Sequence, residues 1–145
     1  MKIDIRTLNE AFKTFAAEHK MINSFKNSEF ETIFSDNRKY PLMWVGYPGF
    51  DFRQNAIDQE VNIMFLNNIP DGEDYINVYS DMLLVAEDFH SIFAENDNEF
   101  DFLIDTAVTG YPLTTKINSD NVVGVAMTVT AKIHMSRNEM QVPDQ

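Results

Sequence analysis

Val61-Asn62-Ile63-Met64-Phe65-Leu66, then Pro70-Asp71-Gly72-Glu73-Asp74, then Tyr75-Ile76-Asn77-Val78-Tyr79-Ser80-Asp81-Met82-Leu83-Leu84-Val85-Ala86-Glu87-Asp88-Phe89-His90-Ser91-Ile92-Phe93 is the stretch that decides the fold. It reads as a strand, a polar joint and a helix. In the helical part, apolar side chains recur at 75, 79, 82, 86, 89 and 93, with a second row at 78, 85 and 92. Spacings of three and four residues put them on one broad helix face, as in a helix laid on a core. Acidic residues at 71, 73 and 74 come just before the first turn, where unpaired backbone N–H groups favour negative charge. The strand before the joint is apolar on both faces, which suits a position inside a sheet.

Working outward, Asp4 to Met21 forms an amphipathic helix, with Ile5, Leu8, Phe12, Phe15, His19 and Ile22 on one face. Arg6, Asn9, Glu10, Lys13 and Glu18 point away from it. Ser28 to Phe34 alternates like a strand and stops at Ser35-Asp36-Asn37-Arg38. Leu42 to Val45, around the lone Trp44, is apolar on both faces, and Pro41 fits a first strand position where no ladder N–H is needed. Pro48-Gly49 is predicted to turn the chain, leaving residues 50 to 58 as a short strand or a hairpin arm against Val61 to Leu66.

Beyond the long helix, Glu95 to Glu99 reads as a solvated loop and Phe100, Phe102 and Ile104 as the inner face of another strand. After a break at Ala107 to Gly110, Tyr111 to Ile117 is extended and a candidate edge strand. In the last strand Val123, Val125, Met127, Val129, Ala131 and Ile133 form one face; Gly124, Ala126, Thr128, Thr130, Lys132 and His134 form the other. The first face is core, the second small, polar and available to a neighbouring subunit. The expected architecture is α+β: an antiparallel or mixed sheet of about five to seven strands, with helices at about 4–21 and 74–94 packed on one face. Residues 1–134 form a single domain, and 135–145 a tail that is flexible or orders on assembly.

A chain of 145 residues is one domain's worth of core. It has no cysteine, so disulfides, thiolate metal sites and cysteine nucleophiles are excluded. The opening residues Met1 to Arg6 hold no apolar run of signal-peptide length, and no stretch approaches the roughly 20 apolar residues of a membrane span. An aqueous, cytosolic site of synthesis and no membrane partner are expected. Twenty-three acidic against 11 basic residues give a formal charge of −12, which argues against holding nucleic acid by its phosphates. The charge serves solubility, a basic protein partner, or a surface past which DNA slides without sticking.

No chemical constellation emerges. Glu87 and His90 have the i, i+3 spacing of a di-iron helix motif, but the second copy and further glutamates such a centre requires are missing. His19 and His134 are far apart in sequence. Gly46-Tyr47-Pro48-Gly49 contains a proline and no Gly-Lys-Ser/Thr follows it, so it is no phosphate cradle. No serine lies in a Gly-x-Ser-x-Gly elbow, and Asp71-Gly72-Glu73-Asp74 lacks the spacing of a calcium loop. Tyr40, Trp44 and Tyr47 are read as core rather than as a ligand pocket. The expectation is a protein that is not an enzyme, with no catalytic residues, cofactor or metal.

Three strings carry a family likeness: Tyr40-Pro41-Leu42-Met43-Trp44-Val45; the strand Val61 to Leu66 leading to Ser80-Asp81-Met82-Leu83-Leu84-Val85-Ala86-Glu87-Asp88-Phe89; and Asp120-Asn121-Val122-Val123-Gly124-Val125 before a Thr-rich strand. Over residues 5 to 134 the chain resembles the neck and tail-completion ring proteins of tailed bacteriophages, the tail-terminator-like or head-to-tail connector proteins, especially of crAss-like phages. The resemblance implies a virion protein, made in the host cytoplasm, that forms a homo-oligomeric ring of roughly 6 or 12 copies. DNA would pass transiently through its lumen without specific binding, and portal or neck and tail proteins would stack on either side. The carboxylates expected at the lumen or at ring-to-ring contacts are Asp71, Glu73, Asp74, Glu95, Asp97 and Glu99. The candidate subunit interface is Thr128, Thr130, Lys132 and His134. The competing expectation is an acidic inhibitor or immunity protein steered electrostatically to a basic nuclease or toxin.

Overall fold

The computed structural model describes residues 5–27, 40–69, 74–95, 102–105, 107–117 and 120–134. The elements run α1 (Ile5–Glu18), β1 (Ser24–Lys26), β2 (Leu42–Arg53), β3 (Ala56–Asn68), α2 (Tyr75–Glu95), β4 (Phe102–Ile104), β5 (Gly110–Ile117) and β6 (Asp120–His134). Six strands make one curled, mixed sheet in the order β1-β2-β3-β6-β4, with β5 also paired to β6. Only β1 and β2 run parallel; the other pairings are antiparallel. The architecture is α+β, and both helices lie on the same sheet face. The segment 28–34, expected as a strand, lies outside the described residues.

Phenylalanines join the helices to the sheet. Phe12 and Phe15 of α1, Phe89 and Phe93 of α2, Phe65 of β3 and Phe102 of β4 form one network of tilted, edge-on and stacked rings. Ile63, Val61, Val125, Val129, Ala131 and Ile133 floor it. The opposite face holds a smaller cluster of Leu42, Trp44, Met64, Leu66, Val122 and Ala126. Both faces are thus apolar near the start of β6, although alternation assigned its even residues to an available face. Val122, Gly124 and Ala126 are buried there; from Thr128 onward the assignment holds, with Thr128 and Lys132 exposed.

Two boundaries differ from expectation. The first helix ends at Glu18 rather than Met21, because the Met21 N–H donates to His19 Nδ1 at 3.1 Å instead of continuing the helical ladder. Pro48-Gly49 does not turn the chain. β2 runs through it with a bulge between Gly46 and Gly49, where the partner strand advances only from Asn62 to Glu60. Pro48 offers no N–H to a ladder, and a bulge tolerates that. The chain turns at Gln54-Asn55 instead, where Asn55 takes a φ of 60°, a left-handed conformation asparagine adopts readily.

Candidate functional site

The bulge decides where the far end of β2 points. Paired residues of an antiparallel ladder share a face, so unbroken alternation would put Phe50 and Phe52 with Leu42 and Trp44 on the helix-free side. One extra residue reverses this. Phe50 pairs with Gln59 and Phe52 with Ile57, on the same face as Val61, Ile63 and the helices. The helices do not cover that end of the sheet. Phe50 and Phe52 stand 58% and 76% exposed, packed edge-on against each other with centroids 5.1 Å apart.

Polar contacts fix the bulge from two sides. Buried Gln59 donates through Nε2 to the Gly49 carbonyl at 2.8 Å and to the Glu60 carbonyl at 2.9 Å. Tyr47 donates its hydroxyl to Asn9 Oδ1 on α1 at 2.7 Å, and burial pushes its phenol well above the ordinary value. At the tip, Arg53 Nε donates to Asp58 Oδ2 at 2.9 Å. That hydrogen bond, then the charges of Asp58 and Asp51, hold the guanidinium still more firmly protonated.

Two clefts flank α2. One, of about 620 Å³, lies between the helices, walled by Phe15, Ile92 and Phe93 and rimmed by Glu10, Glu18 and His19. His19 is held through both ring nitrogens. Its Nδ1 accepts the Met21 N–H, so Nε2 bears the proton, and that proton goes to Asp88 Oδ2 at 2.8 Å. Nδ1 thus closes the end of α1, and Nε2 ties it to α2. The other cleft, of about 610 Å³, lies between α2 and the start of β5, with Leu83, Ala86, Val125 and Met127 as floor and Glu87 and His90 on its lip. Among the described residues, no three His, Asp or Glu side chains gather as a metal-binding set. No described helix is long and apolar enough to cross a membrane.

Those sequence-predicted positions that fall among the described residues lie on different elements, α2 and β6. Asp74 is exposed and caps α2: its Oδ1 accepts the Ile76 N–H at 3.3 Å and its carbonyl accepts those of Asn77 and Val78. Its carboxylate therefore has a structural use. Asp74→Ala is expected to cost about 1 kcal/mol in a urea melt, and Asp74→Asn, which keeps the cap, a few tenths at most. Glu95 is the last residue of α2; Asp71, Glu73, Asp97 and Glu99 lie outside the described residues. Thr128, Thr130 and Lys132 sit on the helix-free face, and His134 ends β6 opposite Ala56.

Among the described residues, the last strand is paired along most of both sides. β3 pairs along one side of it, and β5 and β4 occupy the other. In the gap between those two, the Thr130 N–H donates to Asp105 Oδ2 at 3.3 Å, while Thr128 donates to Asn62 Oδ1 at 2.8 Å. Of the aromatic trio, Tyr40 and Trp44 join the helix-free cluster while Tyr47 packs on the helix side. Phe50 and Phe52 went unnoticed in sequence. The available signal was their alternation with Asp51 and Arg53 up to an Asn-containing turn. No family model matches the chain, and no curated protein matches it significantly.

Proposed function

We propose that the chain is a structural virion protein of a tailed bacteriophage, a tail terminator or head-to-tail connector that closes into a ring at the neck or tail. The observation that carries this reading is a pair of unlike apolar surfaces at opposite edges of one sheet. The aromatic hairpin tip extends β2 on one side; exposed Leu83 and the α2 cleft lie beside β5 on the other. Unlike patches that meet head to tail generate rings when the rotation closes. A monomer gains nothing from presenting them to water.

The charge of −12 is consistent with a lumen that repels DNA phosphates and lets the duplex slide. Carboxylates at the two ends of α2, Asp74 and Glu95 among them, are the groups assigned to that lumen or to contacts with stacked portal-side and tail-side proteins. Native mass spectrometry and negative-stain imaging of the purified protein test the reading. Closed rings of roughly 6 or 12 copies are expected. A strict monomer that captures a basic nuclease or toxin, and releases it as salt rises, would replace this reading with the acidic-inhibitor one.

A further inference from the structure

We infer that the hairpin tip of one copy, through Phe50 and Phe52, seats in the α2–β5 cleft of the next copy, against Leu83. This rests on the ring reading and names the contact that would build it. The first argument is placement. Phe50, Phe52 and the cleft's Val125 and Met127 all lie on the helix side of the sheet, but at opposite ends of the order β2-β3-β6-β5. A tip cannot reach the cleft of its own chain, whereas copies set edge to edge with their helices on the same side bring each tip to the neighbour's cleft. The contact is then heterologous, as closure into a ring requires.

The second argument is charge. Two copies that each carry −12 repel, so they can meet only where carboxylates are sparse. On the helix side the tip shows Phe50, Phe52 and Ile57, all uncharged, with the neutral Gln59 buried beneath them. The cleft is apolar at its floor, and the carboxylate on its lip is Glu87. Arg53 and Asp58, bonded to each other, and Asp51 lie on the other face of the tip. The third argument is that strand-to-strand joining is blunted. Pro48 lies in the bulge of β2, beyond the stretch that β1 pairs, and Pro112 lies within β5, so each strand lacks one N–H there and the union falls to side chains. The bulge clamp of Gln59 and Tyr47 holds the two rings on the side from which they can dock.

The cysteine-free chain makes the test clean. Phe52→Cys and Leu83→Cys are introduced singly and together, and the proteins are oxidised. A ladder of covalent oligomers from the double variant alone is the expected result. Dimers from Phe52→Cys alone would mean that tips meet tips and would overturn the proposal. So would rings in the imaging experiment without a ladder, an outcome that leaves the ring reading standing; rings and ladder both absent remove the two together. As a second measurement, Phe50→Ser with Phe52→Ser should weaken self-association by roughly thirtyfold or more. The melting temperature of the monomer should stay within a few degrees, because both rings are exposed. Undiminished self-association overturns the proposal.

Discussion

Phe89→Ala is expected to lower unfolding free energy by about 3–5 kcal/mol, measured by urea or thermal melts. Phe89 is 1% exposed and lies within ring contact of Phe12 and Phe15 at 5.4 Å, Phe93 at 4.7 Å and Phe65 at 5.9 Å. It thus touches α1, β3 and its own helix at once. Removing the ring forfeits the transfer free energy of a large side chain and leaves a cavity between elements that the sheet holds apart. Phe89→Leu refills part of that space and should recover about half the loss. Ile92, on the same helix but 38% exposed, is the internal comparison: Ile92→Ala should cost about 1 kcal/mol or less. Ring formation should suffer in Phe89→Ala only in proportion to the unfolded fraction. Equal losses at 89 and 92 would mean that α2 is turned the other way on the sheet.

The helix that carries Phe89 was legible because its information is local. Buried Val78, Met82, Val85, Ala86, Phe89 and Phe93 follow the helical period, and Asp74 stands where a cap belongs. The α+β class and the shared helix face followed from element order and periodicity alone. What escaped was set by pairing partners distant in sequence. Pro48-Gly49 has the composition of a turn, yet β3 continues alongside it and keeps β2 extended, so the chain bulges and turns later at Asn55. That single residue of offset determines which face Phe50 and Phe52 occupy, and with it the candidate docking surface. The buried beginning of the available face of β6 depends likewise on the curl of the sheet, which folds Trp44, Leu42 and Leu66 onto Val122 and Ala126. Period-two alternation gives the parity of a strand. It cannot say how far along each face the cover extends.

Gly124→Ala is expected to cost about 3 kcal/mol or more, at the upper end for overpacking, and to lower the melting temperature by about 10 °C. A Cβ at Gly124 would collide with the Phe65 carbonyl oxygen and stand 2.9 Å from the Phe65 carbonyl carbon and 3.0 Å from Leu66 Cα. All three are backbone atoms of β3. A flexible side chain could swing aside; this strand cannot, because β2 and β6 hold it by hydrogen bonds on both edges and Leu66 and Val122 are fully buried beside it. The substitution must open the β3–β6 ladder at the Leu66–Gly124 pair, or push β6 off the face shared with Trp44 and Met64. Gly49 makes the matched control. A Cβ there meets no heavy atom within 4 Å, so Gly49→Ala should be neutral, or stabilising by about 0.4–1 kcal/mol through the restricted unfolded chain. The same methyl group added to two glycines of one sheet thus has opposite expected signs, decided only by the backbone each one faces. Matching melts for the two variants would show that β6 does not approach β3 this closely at Gly124.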